Sequence, residues 1–229
     1  MKKSLVVLAI MSMFASLAHA DFSANLSLTT KYKYRGQDQS DPTKDFVPAV
    51  QGGFDFSSGG LYLGNWNSSV GFAHGTEMDF YGGYKGAAGG IGYDVGLLQY
   101  YYPGTGASPL NTTEIYGAVT YSILTAKYSL TVSDEYFGIV GGKNTGYLDL
   151  SANYDIGSGL TLNGHLGQTL FSSDAKSAGA ANYTDYKLGV TYDLGSGLSL
   201  GGAAVGANKK AVWGDINKSR IIVTLTKAM

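Results

Sequence analysis

Three cations stand at alternate positions, Lys31, Lys33 and Arg35. In an extended chain such residues share one face and lie about 7 Å apart. A row of this kind attracts anions, because rings of Lys or Arg line anion pores. Further charges recur at the same alternate spacing: Asp55, Glu77, Asp79, Glu114, Lys127, Asp149, Asp185, Lys187 and Arg220. Read together, they are the charged lining of one interior. Two arrangements fit them, an open charged path and an internal salt-bridge network that plugs it. If the first hairpin pairs Arg35 with Gln51, Lys31 falls opposite Asp55, and both arrangements stay open.

Other chemistry is poorly supported. Glu77 and Asp79 share a face, as paired carboxylates for glycoside hydrolysis do. Most acids here have such a neighbour, however, and no sugar-binding context accompanies them. His165 has the polar parity beside Asn163, so it faces inward and is expected to be solvated or hydrogen-bonded. A lipid-cleaving Ser-His pair would instead face the rim. His74 and His165 are isolated, and without cysteine they make no metal cluster. Gly52-Gly53 and Gly82-Gly83 lack the helix and the Lys-Ser/Thr of a phosphate loop. No catalytic residue, metal or cofactor is therefore expected.

The elements that position these charges are strands. From Ala24 to Arg35 one parity reads Ala24, Leu26, Leu28, Thr30, Tyr32, Tyr34, and the other Asn25, Ser27, Thr29, Lys31, Lys33, Arg35. One face is thus oily and aromatic and the other polar and charged. The pattern recurs in twelve segments: 23–35, 49–56, 61–70, 76–85, 90–102, 114–122, 124–132, 147–156, 160–169, 184–194, 198–206 and 219–228. Tight Gly- or Ser-rich turns alternate with long loops such as 37–48 and 133–146. An outer-membrane barrel sorts its connections in this way, with short periplasmic turns and longer external loops. Lipid outside and a polar lumen inside explain the two faces. Expected outward residues include Phe54, Tyr62, Trp66, Phe80, Leu97, Val119, Leu150, Leu188 and Leu225. Tyr100-Tyr101-Tyr102 and Tyr136-Phe137 fall at strand-to-loop junctions, where an aromatic girdle at the interface is expected.

Residues 1–20 read as a secretory signal: Lys2 and Lys3, an apolar stretch from Leu5 to Leu17, then Ala18-His19-Ala20. The barrel domain is then 21–229. With 16 basic and 17 acidic residues there is no basic excess for nucleic acid. No later stretch approaches eighteen consecutive apolar residues, so crossing a membrane falls to strands. Eighteen tyrosines suit a membrane interface.

Leu26-Ser27-Leu28-Thr29-Thr30-Lys31-Tyr32-Lys33-Tyr34-Arg35-Gly36, followed by Pro48-Ala49-Val50-Gln51-Gly52-Gly53-Phe54-Asp55, resembles the start of a Gram-negative outer-membrane family, the TorF-family porins (Gcw_chp). Met78-Asp79-Phe80-Tyr81-Gly82-Gly83-Tyr84, Thr113-Glu114-Ile115-Tyr116-Gly117 and Asp134-Glu135-Tyr136-Phe137-Gly138 extend the likeness over most of the chain. The resemblance implies a small outer-membrane barrel, inserted by the barrel-assembly machinery and surrounded by outer-membrane lipid. Such barrels usually end in Phe, the residue that machinery reads, whereas this chain ends Thr226-Lys227-Ala228-Met229. Met carries no ring, so Met229 is expected to be a poorer signal.

The expected activity is passive diffusion of small polar solutes, with the Lys31, Lys33, Arg35 row setting a charge preference. The alternative is a closed barrel that conducts nothing and serves the envelope or a partner.

Overall fold

A computed structural model describes residues 20–105 and 110–229. Apart from Ala20, the expected signal segment lies outside the described residues. The strands are β1 (Asp21–Thr29), β2 (Lys33–Tyr34), β3 (Gln37–Asp38), β4 (Ala49–Ser58), β5 (Leu61–Ser69), β6 (Thr76–Ala88) and β7 (Ile91–Tyr101). There follow β8 (Thr112–Tyr121), β9 (Leu124–Thr131), β10 (Gly146–Gly157), β11 (Leu160–Leu170), β12 (Tyr183–Gly195), β13 (Leu198–Ala207) and β14 (Arg220–Ala228). Two short helices, α1 (Ser173–Ser177) and α2 (Lys210–Trp213), sit in the long loops. All strands but β2 and β3 close into one antiparallel barrel, sealed where Leu28 of β1 faces Leu225 of β14. Closure leaves no sheet edge, as lipid requires.

Local chemistry explains the connections. At one end, two-residue turns join the strands, and Gly59-Gly60, Gly89-Gly90, Ser158-Gly159 and Ser196-Gly197 all carry positive φ. Their twist matches that of the strands they join. The long loops gather at the opposite end. Most outward positions are aliphatic or aromatic, with Val95, Val119, Leu150 and Leu188 all exposed on the outer wall. Lumen tyrosines lie flat because glycine faces them: Gly64, Gly83 and Gly96 stand opposite Tyr81, Tyr62 and Tyr116. A Cβ at any of the three would run into the ring.

Three expectations need correction. The first strand ends at Thr29 rather than Arg35. Beyond it the chain leaves the wall, and residues 31–39 fold inward, so Tyr32 and Tyr34 are not on the lipid face. Tyr32 packs edge-on against Trp66, and the Tyr34 hydroxyl meets that of Tyr100 at 2.5 Å. The register shifts accordingly: Gln51 faces Ser27 and Asp55 faces Ser23.

Second, β5 has the reverse parity to that expected. Leu61 and Leu63 point outward, whereas Tyr62 and Trp66 line the lumen. Asn65 and Asn67 then share the outward parity with Phe80 and Met78. Asn67 donates to the side-chain oxygen of Asn65 and to the carbonyl of Gly52, and Asn65 donates to the carbonyl of Asp79. That pairing lowers the cost of turning amides toward lipid.

Third, the loop-junction aromatics form no girdle. Tyr100, Tyr102 and Tyr136 are buried, and only Tyr101 is exposed. Tyr136 joins Phe171, Ala175, Tyr183 and Ala207 in an apolar cluster, with Phe137 and Trp213 packed against it. The cluster lies at the long-loop end because these loops bury their rings against each other.

Candidate functional site in the barrel lumen

The lumen is built in two zones. Its long-loop zone is filled by the inward segment, whose hairpin turns at Arg35-Gly36. Both residues have positive φ, 46° and 75°, as the two-residue turn between β2 and β3 requires. Asp38 is the hub of this zone. It pairs with Lys33 at 2.9 Å, Arg220 at 2.9 Å and Lys31 at 3.6 Å, and these side chains are all but inaccessible. Lys31 also donates to the carbonyls of Asp41 and Lys44, both at 2.7 Å. Arg220 reaches Asp45 and the carbonyl of Pro42 as well. Burial pulls the Lys31 and Lys33 ammoniums below the usual lysine range, and Asp38 opposes that pull.

At the hairpin tip, Arg35 donates to both oxygens of Glu114, at 2.9 and 2.7 Å, and to the Tyr136 hydroxyl at 3.0 Å. Its guanidinium lies 4.1 Å from the Tyr147 ring centroid. Lys31, Lys33 and Arg35 are therefore not a ladder along one wall. Each is committed to a carboxylate or to backbone carbonyls. Alternate spacing alone cannot separate a strand from an inward-folded loop, so the sequence carried no signal for this.

The remaining zone holds two chambers. One, of about 290 Å³, lies under the hairpin tip among Arg35, Tyr100, Lys127, Asp149, His165, Asp185 and Lys187. Here His165 bridges two acids, with Nδ1 at 3.1 Å from Asp149 and Nε2 at 2.7 Å from Asp185. Tyr147 donates to Asp185 at 3.1 Å. Both ring nitrogens of His165 are thus engaged, and neither is left to activate a serine.

The other chamber, of about 530 Å³, lies on the β4–β8 side among Asp55, Tyr62, Trp66, Asp79, Tyr81, Lys85, Asp94 and Tyr116. Tyr81 donates to Asp55 at 2.8 Å and Tyr62 to Asp94 at 2.5 Å. Leu98 and Lys127 line both chambers, which therefore abut. Glu77 is elsewhere, buried behind the segment and held by Tyr32 at 2.8 Å and Tyr102 at 2.5 Å.

One feature of the lining was hidden from the sequence. Lys85, Asp94, Lys127, Asp149 and Asp185 fall on a single register row, linked through Ala118 and Gly167. The row runs from the short-turn end of β6 to the long-loop end of β12, climbing the wall because barrel strands are staggered. Its lysines have no carboxylate within ion-pair distance among the described residues, and neither does Lys187. The row's acids are instead held by Tyr62, His165 and Tyr147. Among the described residues, the lumen cations without a carboxylate partner are thus Lys85, Lys127 and Lys187, not Lys31, Lys33 and Arg35.

Residues 15–228 match a family described as "Bacterial protein of unknown function (Gcw_chp)". The chain belongs to the Gcw_chp family. No curated protein matches it. Among solved structures, the NanC porin is similar at 12% identity and TM-score 0.56, over 91% of this chain and 98% of that one. The KdgM porin, solved in complex with disordered oligogalacturonate, gives 8% identity and the same TM-score over the same shares. The COG4313 outer membrane channel from Pseudomonas putida F1 gives 9% identity and TM-score 0.51, over 91% of this chain and 95% of that one. At such identities the likeness concerns the fold. This Gcw_chp barrel is porin-like, with the architecture of outer-membrane channels.

Proposed function

We propose that this protein is an outer-membrane channel for passive diffusion of small hydrophilic solutes, narrowed at its long-loop end by residues 31–39. The observation that carries the reading is the pair of polar chambers meeting at Leu98 and Lys127. Their walls present charges and hydroxyls, whereas the outer wall presents hydrocarbon. Outer-membrane lipid is the surrounding partner, small polar solutes are the cargo, and the barrel-assembly machinery is the partner in biogenesis. Lys127 and Lys187 border the path, with Asp149 and Asp185 opposing them. Lys31, Lys33, Arg220 and Glu114 act on the path only by holding the segment in place.

Purified protein in a planar bilayer tests the reading, with stepwise conductance and liposome uptake of small polar solutes as the expected results. Folded but silent protein would establish a second reading, the closed barrel. The buried pairing around Asp38 is the observation that favours it, since that pairing fills the long-loop mouth.

A further inference from the structure

We propose that the chamber on the β4–β8 side binds a small protonated amine, held by Asp79 and packed against Trp66. The proposal deepens the channel reading, and it requires only that this chamber admit water.

Asp79 carries the argument. The residue is 7% exposed, its Oδ1 has no hydrogen-bond partner, and it lines the chamber. The other acids of the lumen each have a donor. Glu77 has Tyr32 and Tyr102, and Glu114 has Arg35. Asp55 has Tyr81, Asp94 has Tyr62, and Asp149 and Asp185 share His165. A buried acceptor without a donor is a costly arrangement. A ligand that brings N–H donors relieves it.

The walls select a cation. Lys127 Nζ lies 3.8 Å from the Tyr116 ring centroid, and Lys85 Nζ lies 5.6 Å from that of Tyr62. The chamber's rings therefore already take ammonium groups on their faces. Trp66, whose indole is the strongest ring of this kind, stands directly opposite Asp79 across β5 and β6. A hard metal ion needs several oxygen ligands together, and the described residues contain no such group.

Trp66 and Trp213 are the two tryptophans. Trp213→Phe leaves Trp66 as the sole tryptophan of the full-length protein, folded in detergent micelles and excited at the red edge where tyrosine does not absorb. Titration at pH 7 with propylammonium is expected to give a saturable change in Trp66 emission. Tetramethylammonium, which lacks N–H donors, should bind at least tenfold more weakly, and propanol and propionate should give no saturable change. Asp79→Asn, near-isosteric, should weaken propylammonium binding at least tenfold. Asp193→Asn, exposed near the short-turn end outside the chamber, should not alter it. An equal response to propanol, unaltered binding in Asp79→Asn, or no saturable change in folded protein would each overturn the proposal. Because the readout is equilibrium binding, a protein that binds but never conducts would sink the channel reading alone.

Discussion

Arg35 shows how one side chain can join an inward loop to a barrel wall. Its bidentate bond to Glu114 is buried at both ends, with side-chain exposures of 6% and 1%. Removing one partner of a buried pair strands the other charge, at a cost of about 3–5 kcal/mol. Arg35→Met should therefore lower the unfolding free energy by that amount, read as a lower urea midpoint at unchanged slope, and the Arg35→Met/Glu114→Leu double variant should recover much of the loss. On the channel reading, ion preference would fall to different residues. Lys127→Gln with Lys187→Gln should move the reversal potential toward cations, because these ammoniums line the chambers without a carboxylate partner. The shift should shrink at high salt, where charges are screened over a few ångströms. Lys31→Gln with Lys33→Gln should instead change how often the pore is open and leave its ion preference where it was. A reversal potential that responds to the second pair and not to the first would contradict this assignment.

At the scale of elements, the decisive one is the β2–β3 hairpin. Its tip is docked by more than charge. Gly36 has φ of 75°, and a Cβ there would lie 2.5 Å from the Cβ of Asp185 and 2.7 Å from the carbonyl oxygen of Gly206. Gln37 also donates to Asn217 at 2.9 Å, and Lys33 to the carbonyl of Ile216 at 3.1 Å, so the hairpin is stitched to the loop before β14. Gly36→Val combines backbone strain with a clash. It should undock the hairpin while the wall strands persist. Single-channel conductance should rise, with an unchanged circular-dichroism signature of the barrel. A lower barrel content with unaltered conductance per active channel would show that the hairpin props the wall rather than obstructs the lumen.

For the whole molecule, the membrane sorts the side chains. Leu188, in the middle of β12, is 61% exposed on the outer face. Lysine there would meet hydrocarbon, at about 2–4 kcal/mol near the midplane. Leu188→Lys should cut folding stability in lipid by that amount, whereas Thr191→Lys, of lumen parity on the same strand, should cost far less. Labelling checks the same geometry: Leu150→Cys should react with a lipid-soluble reagent, and Asp149→Cys with an aqueous one. Reaction of both positions with the same reagent alone would mean the wall is not a bilayer boundary.

The sequence by itself determined the wall. Alternation of period two, Gly- and Ser-rich turns at one end and long loops at the other are local properties. Lipid outside and water inside impose them on each strand separately, so barrel, strand number and most outward residues were legible. β5 was the exception, because Tyr62 and Trp66 are amphipathic and suit either face, while the amide N–H groups of Asn65 and Asn67 find a side-chain oxygen and backbone carbonyls as acceptors. What only the tertiary structure decided is the interior. Lys31, Lys33 and Arg35 have strand-like spacing, yet their place depends on Asp38, Glu114 and Arg220, partners distant in the chain that meet only when the barrel closes. The charge row from Lys85 to Asp185 likewise exists only through inter-strand register. Which cations are free and which are held is a matter of packing between remote segments, and no local pattern encodes it.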